Sequence, residues 1–311
     1  MATMAASAAA AAGPPYRFVT YNVRRFTDDE GGSTVASVAE SLHALAPEFV
    51  CLNEVDLDKR PEALETVAAQ LGGFHIEFFG HVKGKDGFDK YGNALLSRFP
   101  PVRSERTPLD GGFMGEHNGQ PYRIHRGLLA ADFELPTAGG GTLPLTVAVT
   151  HLDHISEPER VTQLNHVVSA LGAFSGGGPT ILMGDLNAMV RSDYTEPEWA
   201  AHEQRNADAG WAAPAAGCLG VLEEAGYADA FSAMVGGGAL ADVKGLWRWT
   251  GHVGEPVYRI DYIWSKGGAG VVSRAVESFV ATDAESSDHY PLVADLQLEV
   301  SAAAPPLKSG L

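Results

Sequence analysis

The chain has 311 residues, of which 45% are hydrophobic, so it can bury a large core and is not a wholly disordered protein. Its 22 Lys and Arg residues against 39 Asp and Glu residues give a net charge of −17, which argues against a protein that coats nucleic acid through a basic face. The charge does not exclude an enzyme that acts on phosphate esters, because a divalent cation can supply positive charge.

Strands and helices are predicted to alternate along the chain. Apolar residues at Val35, Val38, Leu42 and Leu45 have helical spacing, Ser33 is a suitable N-cap, and Pro47 ends this helix. In chain order, the predicted elements are strand 17–23, this helix, strand 49–52, helix 61–71, strands 75–79, 93–97, 128–135 and 145–150, helix 158–171, strand 180–183, helices 198–206 and 219–225, and strands 258–264, 276–280 and 291–300. On the 158–171 helix, Arg160 and Gln163 lie one turn apart and are predicted to tie the helix to the sheet.

This interleaving favours one α/β domain with more than one sheet, over residues 16–300. The sequence contains no internal repeat and no linker long enough to separate two domains. The alanine-rich segment 1–15 and the segment 301–311 are predicted to be disordered tails.

The cysteines and the hydrophobic pattern predict a soluble intracellular protein, most simply in the cytoplasm, with an organelle or the nucleus as the open alternatives. Cys51 and Cys218 cannot form a disulfide framework, and neither belongs to a CxxC zinc pattern. No apolar run approaches the ~20 residues of a membrane span. A signal or transit peptide would contain basic residues near the N-terminus, but no basic residue precedes Arg17. We therefore expect no stable membrane association, and nothing indicates an obligate protein partner.

Polar residues recur at the ends of the predicted buried strands. The residues that share this placement are Asn22, Asn53, Glu54, His151, Asp153, Asp185, Asn187, Arg259, Asp261, Asp288 and His289. Ligand crevices form at strand ends in α/β sheets, and ionised groups buried without partners are costly. We therefore expect a single cleft lined by these side chains.

The spacing of these residues indicates which of them project to the same side. Asp185 and Asn187 are two residues apart, so on an extended chain both point to one face, and the same holds for Arg259 and Asp261.

The motifs that contain these residues resemble the endonuclease/exonuclease/phosphatase superfamily, also called deoxyribonuclease-I-like. They occur in the family's order and span residues 18–298: TYNV (20–23), LNEVD (52–56), GNALLSR (92–98), THLD (150–153), RVTQ (160–163), GDLN (184–187), RIDYIW (259–264) and SDHYP (287–291). The resemblance implies an α/β fold with a two-sheet β-sandwich flanked by helices, in four layers α/β/β/α. It also implies Mg²⁺-dependent attack of water on a phosphate ester, with Mn²⁺ as a substitute.

The resemblance implies a role for each matching residue. Glu54 would be the principal magnesium ligand, with Asn22 and Asp288 around the metal. Asp185 would orient or deprotonate the attacking water, and Asn187 would hold that water and the phosphate. The oxygen-rich set agrees with the ligands that magnesium prefers.

Further residues would bind the phosphate. His289 would contact the scissile phosphate, with its tautomer fixed by Asp261, and His151 would be a second phosphate contact. Arg126, in the HRGLL segment, fits a phosphate-binding arginine, and Asn93 either lines the site or braces the sheet. A carboxylate partner favours the protonated imidazole, which suits a phosphate contact.

Several alternatives stay open at this point. Asp261 could instead pair with Arg259, and GDLN could be an Asx-turn that closes a strand. The 191–214 segment either stacks its aromatic residues on a base or sugar or is a surface helix with buried aromatic anchors. Its aromatic residues are Tyr194, Trp199 and Trp211.

The predicted substrate is a phosphate ester such as a nucleic-acid end, a nucleotide or another small phosphodiester, because the net charge disfavours a long phosphate backbone. The alternatives are a phosphomonoesterase for inositol or nucleotide phosphates and a catalytically inactive scaffold relative. The scaffold predicts loss of at least one catalytic residue, but all five are present: Glu54, Asp185, Asp261, Asp288 and His289.

Overall fold

The computed structural model describes residues 13–83, 89–117, 120–137, 140–210, 213–236, 239–251 and 257–301. The predicted disordered tails fall largely on residues 1–12 and 302–311, which lie outside the described residues, as does Trp211. No helix in the described ranges is long and apolar enough to cross a membrane. Both cysteines are buried and carry free thiols.

The strands form two six-stranded sheets and a short hairpin. The strands are β1 (Tyr16–Asn22), β2 (Phe49–Asp56), β3 (His75–Lys83), β4 (Asp89–Ser97), β5 (Arg103–Pro108), β6 (Met114–His117), β7 (Gln120–Arg123), β8 (Gly127–Pro136), β9 (Thr142–Thr150), β10 (Thr180–Asp185), β11 (Ala228–Asp229), β12 (Asp261–Lys266), β13 (Val271–Val280) and β14 (Leu292–Val300). The first sheet has the order β13-β14-β1-β2-β4-β3, the second has the order β11-β12-β10-β9-β8-β5, and β6 pairs with β7. Each sheet is mixed, with parallel pairs β1–β2 and β9–β10 at its centre.

Five of the six α-helices in the described residues correspond to predicted helices, and the sixth, Ala230–Ala233, was not predicted. The helices are α1 (Val35–Leu45), α2 (Ala63–Gln70), α3 (Glu157–Ser175), α4 (Glu196–Asp208), α5 (Gly220–Glu224) and α6 (Ala230–Ala233). The predicted N-cap of α1 was wrong by one residue: Thr34 occupies this position, and Ser33 accepts a hydrogen bond from the Val35 amide at 3.4 Å. On α3, Arg160 and Gln163 both bind the backbone of Asp153 beyond β9, as predicted for residues that tie this helix to the sheet.

Successive side chains of the central strands point to opposite faces of each sheet, and this produces the layers of the fold. In β1, Phe18 faces the core between the two sheets, whereas Val19 faces the opposite side and packs with α1 and α2. In the second sheet, Ile181 faces the shared core, whereas Leu182 packs with α3 and α5. The predicted four-layer α/β/β/α sandwich is therefore confirmed.

Strands β5 and β7 were not predicted because their sequences carry no alternation of apolar and polar residues. The edge strand β5 is half-buried or exposed along its length, and β7 is fully exposed. The predicted strand 258–264 begins only at Asp261.

Candidate active site

The candidate site lies where the carboxyl ends of the central strands of both sheets meet. Asn22 ends β1 in register with Asn53 of the parallel strand β2. In the second sheet, Asp185 ends β10 opposite Asp261 of β12. The Asn22 Nδ2 group donates to Asp185 Oδ2 at 3.0 Å, so the two sheets are joined through side chains of the predicted site.

A buried amide bridge holds the sheets together behind these residues. Asn53 Oδ1 accepts from the Asp185 amide at 2.8 Å, and Asn53 Nδ2 donates to Asn93 Oδ1 at 2.9 Å. Asn93 in turn donates to the Gly127 carbonyl at 3.3 Å and is fully buried. Its amide therefore braces the sheets, and a phosphate contact by Asn93 stays a prediction.

The glycine of GDLN is required by this close approach. Gly184 has a φ of +145°, and a Cβ atom there would lie 1.8 Å from the Thr150 carbonyl oxygen. Asp185 Oδ1 also accepts from the Asn187 amide at 2.9 Å, which is the Asx-turn considered from the sequence. The turn aims the other oxygen, Oδ2, toward the cleft.

Asp185 is a buried carboxylate surrounded by donors. Its Oδ2 atom lies 3.6 Å from His151 Nε2 and 3.9 Å from His289 Nε2. Burial and then the nearby Asp261 charge raise the pKa of Asp185 to about 7, although His289 and the Asn22 hydrogen bond oppose the shift. A carboxylate with this pKa can accept a proton near neutral pH.

His289 and Asp261 form the pair predicted from the sequence. His289 Nδ1 lies 2.8 Å from Asp261 Oδ2, and both side chains are buried. Burial lowers the pKa of His289, but the Asp261 carboxylate outweighs it and raises that pKa to about 10. The imidazole is therefore protonated at neutral pH, with its Nε2 side toward Asp185.

The alternative pairing of Asp261 with Arg259 is wrong. Arg259 precedes the strand, so the alternation argument does not apply to it, and it binds Asp193 at 2.6 Å and also Asp229. The Asp261 Oδ1 atom is buried and makes no hydrogen bond within the described part of the chain.

His151 and Asn187 form a second pair. Asn187, which has a φ of +47°, places its Nδ2 group 2.9 Å from His151 Nε2. Burial and then the charge of Arg126 lower the pKa of His151 well below its usual value, so the ring is neutral. Nε2 then accepts from the Asn187 amide, and the ring proton is assigned to Nδ1.

Asp153 does not join this pair in the cleft, contrary to the prediction from its place after β9. Its carboxylate is fully buried and accepts from the amides of Phe113 at 2.8 Å, Ile155 at 2.8 Å and Ser156 at 2.9 Å. Asp153 therefore fixes the base of the β6–β7 hairpin and the loop that leads into α3.

The predicted metal ligands lie around Asn22. Glu54 has a φ of +59° at an irregularity of β2, and its Oε1 atom lies 3.3 Å from Asn22 Nδ2. Asp288 is kept in the turn by Ser287, whose hydroxyl donates to the Asn22 carbonyl at 2.7 Å. Strained backbone at a non-glycine residue is typical of functional sites.

A second group of donors could also hold a metal ion. Ligand atoms of Asp185, Asp261 and His289 lie within 4.8 Å of one another. One lone pair of Asp261 and one nitrogen of His289 are already used in their mutual hydrogen bond. Both the predicted ligands around Asn22 and this second group are consistent with a metal-binding site at this edge of the sandwich.

Comparison with known proteins decides the family. The model of the endonuclease/exonuclease/phosphatase family matches residues 19–289, which is most of the chain. The chain belongs to the endonuclease/exonuclease/phosphatase family. Members of this family are phosphoester hydrolases. No curated protein matches the chain significantly.

Solved structures share the fold of this family member. An endonuclease/exonuclease/phosphatase from Beutenbergia cavernae is 23% identical, with a TM-score of 0.60 over 92% of this chain and 72% of that chain. The human nocturnin catalytic domain with a bound sulfate anion is 21% identical, with a TM-score of 0.59 over 92% of this chain and 94% of that chain. D. rerio TDP2 complexed with a single-strand DNA product is 16% identical, with a TM-score of 0.58 over 91% of this chain and 98% of that chain.

Arg126 is distinctive among the buried arginines of this family member. Its guanidinium lies 3.2 Å from His154 Nδ1, its Nε atom has no hydrogen-bond partner in the described chain, and the residue is 6% exposed. Within the described ranges no carboxylate oxygen lies within 4.0 Å of it, whereas the three other buried arginines, Arg160, Arg248 and Arg259, all have carboxylate partners. A buried cation without a counter-ion indicates a site for an anion.

The segment after GDLN contains helix α4, which is anchored to the domain by buried side chains. Tyr194 is only 2% exposed, and its hydroxyl accepts from the Arg259 amide at 3.0 Å. Arg248 donates to the Asp193 carbonyl at 2.6 Å and pairs with Glu198 of α4. Tyr194 is therefore not available to a substrate, which favours, for this residue, the alternative of a surface helix with buried aromatic anchors.

No motif or periodicity in the sequence pointed to a role for Thr250 in this family member. Thr250 is 1% exposed and contacts the backbone beside both Asp261 and His289. It lies between predicted elements, so neither apolar periodicity nor a charged motif could identify it.

Proposed function

We propose that the protein is a Mg²⁺-dependent hydrolase that cleaves a phosphodiester by attack of water on phosphorus. The observation that carries this proposal is the His289–Asp261 pair, which lies beside the Asp185 carboxylate. This arrangement offers a cation for a phosphate and a base for water at the same point. Phosphoryl transfer depends mainly on such positioning and charge neutralisation.

Asp185 would hold the attacking water and accept its proton. Its raised pKa, about 7, suits a base that works near neutral pH. Asn187 would orient the same water and a phosphate oxygen, and its amide is itself fixed by His151 and the Leu152 carbonyl. His151 would act as a neutral contact to the phosphate, because its pKa is lowered by burial and by Arg126.

His289 and Arg126 would bind the non-bridging oxygens of the phosphate. The imidazolium of His289 is kept charged by Asp261, and Arg126 has no carboxylate partner of its own within the described chain. Two cations that contact one anion from different chain segments would stabilise the charge that develops in the transition state.

Glu54, Asn22 and Asp288 would hold the magnesium ion. These three side chains offer oxygen donors, which fit a hard cation that keeps several waters, better than a set containing His289. When bound by these residues, magnesium would supply positive charge for the phosphate and relieve the repulsion between the carboxylates. Mn²⁺ has similar ligand preferences and is expected to substitute.

The proposed substrate is a small or terminal phosphodiester, such as a nucleic-acid end or a nucleotide. The net charge of −17 disfavours a long phosphate backbone. The nocturnin domain with bound sulfate and the TDP2 complex with a single-strand DNA product support an anion site and a nucleic-acid end in proteins of this fold. Neither compound is assigned to this chain by fold alone.

The test compares wild type with three variants on bis(p-nitrophenyl) phosphate and p-nitrophenyl phosphate, with Mg²⁺, Mn²⁺ or EDTA. Asp185→Asn and His289→Ala should each lower turnover of the diester about 100- to 10,000-fold. Glu54→Ala should mainly raise the magnesium concentration required. The exposed residue His43 provides the control His43→Ala, which should keep wild-type rates.

The two compounds separate the alternatives. Preference for the monoester would indicate a phosphomonoesterase. Folded protein without metal-dependent turnover of either compound would favour a scaffold relative, and near-normal rates in Asp185→Asn or His289→Ala would show that the assigned roles are wrong.

A further inference from the structure

We propose that Thr250 is a positioning residue that holds Asp261 and His289 in the geometry required for catalysis. The inference rests on the proposed function, and it adds a residue that neither touches the substrate nor belongs to a recognised motif. Thr250 lies in the segment that precedes β12 and is 1% exposed.

The Thr250 hydroxyl fixes the start of β12. Its Oγ1 atom accepts hydrogen bonds from two consecutive amides, that of Ile260 at 3.2 Å and that of Asp261 at 3.0 Å. Both amides are buried, so they depend on this acceptor. One hydroxyl oxygen therefore holds the two amides at the start of β12, next to the point where Asp261 pairs with Asp185 of β10.

The backbone of Thr250 fixes the other partner. The Thr250 carbonyl accepts from the Tyr290 amide at 2.7 Å, directly after His289 in the chain. The next residue, Gly251, forms β-bridges with both His289 and Tyr258. Thr250 thus joins the two chain segments whose side chains form the 2.8 Å contact between His289 Nδ1 and Asp261 Oδ2.

Gly251 leaves the space that the imidazole needs. A Cβ atom at this position would lie 3.3 Å from His289 Cε1 and 2.6 Å from Ile260 Cδ1. A side chain there would push on His289 and on the residue before Asp261 at the same time. The Thr250–Gly251 pair therefore combines an acceptor for Asp261 with room for His289.

Thr250→Val keeps the size and branching of the side chain but removes the acceptor. The variant should lower kcat about 10- to 100-fold while KM changes less than about twofold, because small displacements of catalytic groups are costly. Thr250→Ser retains the oxygen and should restore kcat to within about threefold of wild type. Gly251→Ala, which displaces the imidazole instead, should also lower kcat.

The matched control is Thr146→Val. Thr146 is a buried strand threonine whose hydroxyl also makes a side-chain hydrogen bond, to Asp132 at 2.7 Å, but it lies in the middle of β9. This variant should leave kcat unchanged. An equal loss of kcat in Thr146→Val would overturn the proposal, because it would reflect the loss of any buried hydroxyl.

A proton NMR spectrum of each full-length variant in EDTA tests the same geometry without activity. The hydrogen-bonded His289 Nδ1 proton should give a far-downfield resonance that persists in Thr250→Ser and is shifted or lost in Thr250→Val. The spectrum decides the inference even if wild type shows no turnover, in which case only the proposed function fails. Unchanged kcat and an unchanged resonance in Thr250→Val, or failure of Thr250→Ser to restore them, would refute the positioning role.

Discussion

Replacing Arg126 with methionine should raise the stability of the folded protein while lowering its activity. The Arg126 side chain is buried with one neutral contact, His154, at 3.2 Å, and no carboxylate within 4.0 Å in the described chain. Burial accordingly lowers the pKa of its guanidinium, although the more distant charges of Asp185 and Glu54 oppose this effect. Without a bound anion, the folded protein therefore carries a poorly compensated buried charge.

The expected magnitudes follow from this environment. An uncompensated buried ion costs several kcal/mol, part of which the distant charges offset, so Arg126→Met should raise the free energy of unfolding by about 1–3 kcal/mol. Loss of one charged contact to the transition state should lower kcat/KM about 100- to 1,000-fold. Inorganic phosphate at about 100 times its Kd should add about 2.7 kcal/mol of stability to wild type and to any variant that keeps Arg126, but not to Arg126→Met.

Urea denaturation in EDTA, with and without phosphate, measures these differences. The control is Arg160→Met, which removes a buried guanidinium bound to Glu157 at 3.1 Å and to the Asp153 carbonyl at 2.9 Å. That variant should lose about 3 kcal/mol, because it leaves a carboxylate unpaired. The reasoning would be refuted if Arg126→Met were destabilised as strongly as the control and phosphate stabilised both variants equally.

Three further predictions concern the carboxylates. Burial and Asp261 raise the pKa of Asp185 from 3.8 to about 7. In EDTA, Asp185→Asn should therefore be more stable than wild type above about pH 7 and equally stable below about pH 4. Equal urea midpoints for the two proteins at both pH extremes would contradict this. Burial lowers the pKa of His289, but Asp261 raises it more, so the pKa moves from 6.5 to about 10. The stability that Asp261 contributes is therefore complete below about pH 6.5 and is lost as the pH rises through about 10. The difference in unfolding free energy between wild type and Asp261→Asn should therefore shrink over that range, and a constant difference would count against the ion pair. Glu54→Ala should raise the half-saturating Mg²⁺ concentration at least about tenfold in a turnover titration, and an unchanged titration would remove Glu54 as a ligand.

The sequence predicts the layered core well because the alternation of apolar residues in strands, and their helical spacing in helices, directly reflect which side chains are buried. Phe18 and Val19 of β1 face opposite layers, as their two-residue period requires, and α1 and α3 follow their apolar stripes. The edge strand β5 lacks this signal because its residues are half-buried or exposed. Its position depends on pairing with β8, a tertiary contact that local sequence does not encode.

At the site, the motifs predict which residues converge but not every partner. Asp185, His289 and Asp261 meet as expected, since they follow strand ends or begin a strand. Arg259 instead binds Asp193, 66 positions away, and only the folded chain reveals that pairing. Thr250 likewise acts through backbone amides, for which a hydroxyl at a loop position gives no sequence signal.

The most direct test of the account is a metal titration of the purified wild-type protein with bis(p-nitrophenyl) phosphate. Turnover should cease with EDTA, return on addition of Mg²⁺ or Mn²⁺, and saturate with metal concentration. Hydrolysis that persists in EDTA, or a folded protein that stays inactive at every metal concentration, would contradict the claim that this cluster is a metal-dependent phosphodiesterase site.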